Sequence, residues 1–507
     1  MDVASVGTLV ALVYARVDLF NAAAAIGCVV TFFILMTVAA SLTRRTSLNI
    51  QGMQHAQLPP GSMGLLWLGE TLQFLSSLRQ GGPTKFMRER TLKFRSPIFK
   101  TSLFLHPAVV VQGADANRFL VNGENRQELR NSWPSFTLEL LGWNAPPAVH
   151  GAQHKRQRQI LSGCLGPGAL QRVVGRAGTM TQKHVEAWWK DGERISVVKS
   201  VRNYAFHVAF SLLLGIEEEP ALSEMERQFR SLAEGLAGLP INLPGSRFRK
   251  AIRARDQLRR QIDSAIRQRQ NSAAAVDGEV SEELLSQLIL ARDENGCALS
   301  LEELRDVTLT LIVAGYDTAA TTLTFALKFI EENPSCRYRL VQEHEGIASQ
   351  KSAGERMSWA DITNMRYTWA VLQETMRLRA PALGGVKETL KDIQYNGYTI
   401  PRGWKIFYTM AATHQNDEYF KNPSKFDPSR FEIGKLQKER LQPLSYVPFG
   451  IGPHACKGID FARMSTSLYI HHLIMAKHKW TSLEPNEKIS CLPMLTLAKG
   501  YPILVSS

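Results

Sequence analysis

The segment with the clearest chemistry is Phe449-Gly450-Ile451-Gly452-Pro453-His454-Ala455-Cys456-Lys457-Gly458, followed by a helical pattern from Ile459 to Lys477. Glycines at 450, 452 and 458 let the backbone turn tightly and approach a flat ligand closely. A cysteine just before a helix has backbone N–H groups directed at its sulfur, which favours the thiolate. Such a thiolate suits the axial position of haem iron, where it pushes electron density onto the metal and promotes O–O cleavage. Two plainer readings compete with this one. The cysteine could be structural and buried in a glycine turn, or the loop could cradle phosphate. The second lacks the Lys-Ser/Thr pair and the spacing that a phosphate loop needs.

Three further groups could act with Cys456. Glu374-Thr-Met-Arg377 places two opposite charges at i,i+3 on one helix face. Alone this pattern is uninformative, because surface ion pairs produce it constantly. Ala314-Gly315-Tyr316-Asp317-Thr318 combines two small residues, a carboxylate and a hydroxyl. The hydroxyl could serve proton transfer, or merely bond the carbonyl one turn back. His154-Lys155-Arg156-Gln157-Arg158 is a basic run whose arginine could pair with a carboxylate, or simply face solvent.

The elements that must hold these residues are mostly helical. Ser300 and Glu303 form an S-x-x-E capping box, and Asn333-Pro334 supplies a stop. The intervening 32 or so residues would span nearly 50 Å at roughly 1.5 Å per residue, enough to cross a domain. The apolar middle, Val307–Gly315, predicts passage through the interior. Other helical patterns cover Gln171–Trp189, Glu224–Leu236, Phe248–Gln270, Glu282–Asp293 and Trp369–Arg379. Strand-like segments are fewer: Ile98–Phe104, Ala108–Gln112, Ile393–Tyr395 and Ile406–Met410. The expected fold is mainly α with a minor β-sheet.

In their order and spacing these motifs resemble those of the cytochromes P450, and the likeness runs through essentially the whole chain after residue 58. Residues Phe449 to Gly458 match the family's Phe-x-x-Gly-x-Arg/His-x-Cys-x-Gly loop. The resemblance implies a haem b whose iron is bound by Cys456, with Phe449, Gly452, His454 and Gly458 shaping the loop. It implies haem contacts from Ala314, Gly315, His154 and Arg158, His154 standing where Trp is usual. Thr318 and Asp317 would assist proton delivery to iron-bound oxygen, while Glu374, Arg377 and Arg430 would support the haem loop. Ala319 departs from the Thr or Ser often found there. Family position places the substrate pocket at Leu311–Gly315, Ser132–Trp143, Pro381–Val386 and Leu492–Leu495, with Leu311, Ala382, Leu383, Val386 and Leu492 as its lining. Those side chains are mainly apolar, suited to a fused-ring hydrocarbon.

Further segments, including Leu239-Pro-Ile-Asn-Leu-Pro-Gly245 and Gly397-Tyr-Thr-Ile-Pro-Arg-Gly-Trp404, are similar to a plant branch of the family that oxidises terpenoids and steroids. The implied activity is monooxygenation with O₂ and electrons from NADPH, delivered by NADPH-cytochrome P450 reductase. Two alternatives stay open. A hydroperoxide isomerase or dehydratase of the same fold typically loses the helix threonine, so Thr318 speaks against it; a non-catalytic lipid-binding haem protein would not need the oxygen motif.

Composition narrows the partners and the compartment. Sixty Lys and Arg against 46 Asp and Glu give a formal charge of +14. That favours an acidic partner or an anionic membrane surface. Nucleic acid is not expected, because no helix-turn-helix, finger or RNA-recognition signature accompanies the charge. The six cysteines are scattered without a CxxC pair, which argues against a disulfide framework and a zinc site. Ala22–Ala40 is an uncharged run long enough for a bilayer core, followed by Arg44 and Arg45. The expected organisation is a short segment at 1–21, a transmembrane anchor at 22–42, a basic, proline-rich linker at 43–60 and a haem-thiolate domain at 61–507. A cleaved signal peptide is the alternative at the N-terminus. With the anchor retained, the resemblance implies a single-pass endoplasmic reticulum protein whose catalytic domain faces the cytosol.

Overall fold

The computed structural model describes residues 57–65, 69–79, 82–238, 240–275, 283–432, 441–491 and 494–506. Among the described residues no helix is long and apolar enough to cross a membrane; the anchor expected at 22–42 lies outside them.

Two helices, α1 (Thr71–Arg79) and α2 (Pro83–Phe94), precede the hairpin β1 (Phe99–Leu103)–β2 (His106–Val111). Then come α3 (Ala114–Asn125), β3 (Leu129–Asn131), α4 (Ser135–Leu141), α5 (Gly151–Leu165) and α6 (Pro167–Trp188). Next are β4 (Arg194–Ser196), α7 (Val197–Leu214), α8 (Glu219–Leu236), α9 (Arg247–Ala275) and α10 (Leu284–Leu290). The central helix α11 (Leu301–Glu332) is followed by α12 (Pro334–Ala348), α13 (Trp359–Asn364) and α14 (Arg366–Leu378). Strands β5 (Gly385–Thr389), β6 (Ile393–Tyr395), β7 (Tyr398–Ile400) and β8 (Lys405–Tyr408) lead to α15 (Met410–His414) and α16 (Ile459–Met475). The chain ends with β9 (Lys479–Ser482), β10 (Ile489–Cys491), β11 (Leu495–Leu497) and β12 (Pro502–Ser506).

The largest sheet runs β1-β2-β8-β5-β3, with β2 and β8 parallel in the register Ala108↔Lys405 and the other pairs antiparallel. A smaller sheet, β4-β12-β9, joins the C-terminus to the helical body. The main core lies among the helices, where α11 packs along α7 and also touches α14 and α16. That arrangement follows from sequence: α7 reads YAFHVAFSLLL over its second half and is apolar nearly all round, as an internal helix must be.

The expectations for α11 hold closely. Ser300 accepts the Glu303 N–H and Glu303 accepts the Ser300 N–H, and 32 residues of helix follow. Elsewhere the boundaries moved. The helix expected at Glu282–Asp293 is only Leu284–Leu290, because Asp293 Oδ1 accepts the Asn295 and Cys297 N–H groups and builds a turn instead. The strand expected at Ile406–Met410 ends at Tyr408, and Met410 opens α15. Helix α14 begins earlier than its pattern, at Arg366, because the Glu343 carboxylate on α12 accepts the Tyr367 and Thr368 N–H groups. Ser300→Ala should cost about 1 kcal/mol, the usual worth of an N-cap, read as a lower midpoint in denaturant unfolding.

Candidate functional site

The Cys456 loop is built from short turns. Gly450 (φ 80°) and Gly452 (φ 69°) occupy left-handed backbone, and Gly452–His454 forms one turn of 3₁₀-helix. The Cys456 N–H donates to Phe449 O at 2.8 Å, closing the loop, and the Gly458 N–H donates to Cys456 Sγ at 3.3 Å. The side chain of Cys456 is open, although protein encloses it on its other sides. That enclosure pushes the thiol up from its ordinary value, while the Gly458 N–H and the Arg158 guanidinium pull it down less strongly. The helix terminus therefore does not by itself secure the thiolate expected from sequence. A cation at the sulfur would do so outright.

Helix α11 presents small and polar residues toward this loop. In the middle of a helix whose neighbours Ile312, Tyr316, Ala319 and Ala320 are buried, Ala314 is exposed and Leu311, Gly315, Asp317 and Thr318 are half-buried. A Cβ on Gly315 would lie 3.9 Å from the Phe461 ring, just past Cys456 on α16. Thr318 Oγ1 donates to Ala314 O at 2.6 Å, the local bond weighed from sequence. Its oxygen keeps lone pairs able to accept a further proton donor. Asp317 pairs with Arg202 on α7 at 2.9 Å. Burial raises the Asp317 carboxyl above its ordinary value, with Arg202 offsetting part of the rise.

Behind the loop, Glu374 and Arg377 on α14 are wholly buried and meet through two bonds of 2.7 and 2.8 Å. Arg377 also donates to His414 O at 2.8 Å and Lys425 O at 3.2 Å, and Glu374 accepts the Asp427 N–H at 2.9 Å. Arg430 Nε stands 3.4 Å from Glu374 Oε1, so all three expected residues converge. Sequence reasoning missed His414. Its Nε2 accepts the Val447 N–H at 2.8 Å and so ties the ion pair to the approach of the Cys456 loop. Burial, and then the charge of Arg377, push the His414 imidazole down to about 3.

At the other side of the loop the His454 ring stacks on His154 of α5, with centroids 3.8 Å apart. Arg158 Nη1 donates to Ala455 O at 2.6 Å. Two residues here were not foreseen. Glu124 at the end of α3 accepts from His454 Nδ1 at 2.5 Å and from Lys387 Nζ of β5 at 2.8 Å. They lie 263 positions apart, so no local pattern links Glu124 to Lys387.

The substrate-pocket expectations fall on several elements. Leu311 and Leu495 pack against the main core, and Thr321 Oγ1 on α11 donates to Leu495 O at 2.9 Å. Leu383 and Leu495 also pack against a second cluster beside β1 and α1. Ala382 packs on the cluster under the larger sheet, and Val386 O accepts the Ser132 N–H at 2.9 Å. Leu492 lies outside the described residues. The residue set fits a flat haem with two carboxylates. It has an open sulfur, a helical face of Ala and Gly to approach the ring, and Arg158 and His454 as donors for the carboxylates.

Residues 59–504 match the cytochrome P450 family. The chain is 36% identical over 446 residues to beta-amyrin 28-monooxygenase of Vitis vinifera, covering 88% of this chain and 91% of that one. It is also 36% identical to taxane 13-alpha-hydroxylase of Taxus cuspidata, covering 94% and 97%. Among solved structures it is similar to cyanobacterial CYP120A1 with retinoic acid bound, with a TM-score of 0.79 and 32% identity over 90% of this chain and 100% of that one. The chain belongs to the cytochrome P450 family and is an enzyme of its monooxygenase class.

Two predictions follow from the buried network. Arg377→Met strips the buried Glu374 carboxylate of its two shortest charged bonds, leaving only Arg430 at 3.4 Å and the Asp427 N–H, and should cost about 3–5 kcal/mol, read as loss of folded, soluble protein. His414 has a folded pKa of about 3 against an ordinary 6.5, so the unfolded chain takes up the proton first. Its contribution is intact above about pH 6.5 and erodes as pH falls toward 3, by up to roughly 1.4 kcal/mol per unit. Denaturant midpoints measured at pH 7 and pH 5 should differ less in His414→Gln than in the parent.

Proposed function

We propose that the protein hydroxylates an apolar, fused-ring terpenoid or steroid-like substrate, using O₂ and electrons that originate in NADPH. The observation that carries this reading is the likeness, over 88% and 94% of this chain, to two enzymes named for oxidation of beta-amyrin and a taxane. The apolar character of Leu311, Ala382, Leu383, Val386 and Leu495 supports it, because such a lining excludes water and grips hydrocarbon.

Haem, bound through Cys456, supplies the oxygen activation. The chain's own residues do the rest. Phe449, Gly452 and Gly458 hold the loop in the turn that leaves the sulfur open. Arg158 and His454 would hold the cofactor's carboxylates, with His154 stacked against the His454 ring. Ala314 and Gly315 would leave room for the bound group. Thr318 would accept and pass a proton, and Asp317, paired with Arg202, would replenish it from outside. Glu374, Arg377 and Arg430 keep the loop in register.

The reading includes an anchor at 22–42 and a linker at 43–60. The catalytic domain from 61 onward then sits on the cytosolic face of the endoplasmic reticulum. NADPH-cytochrome P450 reductase docks on the basic face near the Cys456 loop, and substrate arrives from the lipid. Exposed Ile241 and Leu243, between α8 and α9, suit contact with a membrane surface.

The test is incubation of microsomes holding the full chain with the reductase, NADPH and a panel of di- and triterpenes, read by mass spectrometry. One added oxygen on a panel member is expected; turnover of a fatty-acid hydroperoxide without NADPH would replace this reading. Cys456→Ser should abolish the reduced-CO band characteristic of thiolate ligation. Persistence of that band would remove Cys456 as the ligand. Thr318→Ala should consume NADPH while forming less product, measured as product per NADPH.

A further inference from the structure

We propose that Glu124 is a positioning residue of the cofactor site, holding His454 in the orientation in which it meets a carboxylate of the haem, with Lys387 as its buried counter-ion. The inference rests on the haem reading above.

Glu124 lies far from the Cys456 loop in sequence and is nearly buried, its side chain 6% exposed. Each carboxylate oxygen serves a different element. Oε1 receives His454 Nδ1 from the 3₁₀ turn, and Oε2 receives Lys387 Nζ from β5. A buried carboxylate is tolerated only when paired and hydrogen-bonded, and these two partners meet that need. Burial alone would raise the Glu124 carboxyl, but His454 and then Lys387 hold it below its ordinary value.

The loop is shaped around this carboxylate. A Cβ at Gly452 would lie 2.9 Å from Glu124 Oε2, and Gly452 also has φ +69°. Glycine there satisfies both the turn and the approach of the acid. The bond at Nδ1 fixes which nitrogen of His454 faces α3, and the stack on His154 fixes the ring plane. The other nitrogen, Nε2, has only a 3.4 Å approach to Val149 O. Without Glu124, the ring would lose its principal orienting bond.

Lys387 is 1% exposed, and its ion pair with Glu124 is its one such pair among the described residues. An acid near a site for haem carboxylates opposes their charge. Lys387 offsets that charge, leaving Glu124 to orient the His454 ring. Partners one shell behind a ligand site are typically worth about 10–100-fold in affinity or activity.

The experiment measures haem loss from the purified full-length holoenzyme to excess apomyoglobin. Glu124→Gln should lose haem about tenfold faster than the parent, while the residual holoenzyme keeps its Soret position because Cys456 is untouched. Glu124→Asp should lie between the two. In a His454→Ala, Lys387→Gln background, adding Glu124→Gln should change the rate less than about twofold, since the ring it orients and its counter-ion are both gone. If Glu124→Gln alone fails to fold, Glu124→Gln with Lys387→Gln removes the stranded charge and should still lose haem faster than Lys387→Gln alone.

A rate for Glu124→Gln within about twofold of the parent, or, where that variant does not fold, a rate for Glu124→Gln with Lys387→Gln within about twofold of Lys387→Gln alone, overturns the proposal. So does a full effect of Glu124→Gln in the His454→Ala, Lys387→Gln background. A parent protein that takes up no haem would instead overturn the haem reading itself.

Discussion

The Glu374–Arg377 pair has no access to water, and much of the fold behind Cys456 is arranged to make that tolerable. Two charges without solvent are stable only when every polar atom finds a partner. The carbonyls of His414 and Lys425 and the N–H of Asp427 supply those partners, each from a different stretch of chain. The pair thereby gathers α14, α15 and the Lys425–Asp427 segment into one body. Through His414 it reaches Val447, two residues before the loop that carries the cysteine. The ion pair organises the scaffold of the site rather than its chemistry.

The loop in front of that scaffold is held from the other side by a second buried charge system. Glu124, His454 and Lys387 join α3, the cysteine loop and β5. Gly452 belongs to the same arrangement, since a side chain there would run into the acid. Cys456 sits between the two networks. Enclosure disfavours its anion, and the Gly458 N–H and Arg158 offset this only partly. Such a sulfur is suited to a resident cation more than to free nucleophilic chemistry.

The long helix α11 ties the site to the elements above it. Near its start Glu303 binds Arg156 and Gln153 of α5, Arg305 binds Asp263 of α9, and Asp306 binds Arg259 of α9 and the backbone of Asn144. Gly142 is needed beside this last contact, because its φ of 118° and the nearby Asp306 carboxylate both exclude a side chain. Farther along, Asp317 reaches Arg202 on α7. One helix thus fixes the positions of α5, α7, α9 and the 142–144 turn relative to the face that presents Ala314 and Thr318.

The sequence by itself determined what short-range physics can encode. The capping box and proline stop delimit α11, the glycine pattern bends the loop, and Cys456 precedes a helix at a fixed spacing. Glu374 and Arg377 share a face because they are three residues apart. In each case the interacting atoms are neighbours along the chain, so residue type and spacing suffice. Only the tertiary structure decided the partners that arrive from far away. His414 beneath Val447, Arg202 beside Asp317, Glu343 capping α14, and Glu124 between His454 and Lys387 have no common period or motif. Buried charges choose partners by three-dimensional proximity and by the need to satisfy every polar atom, and that need becomes visible only when the chain has closed around them.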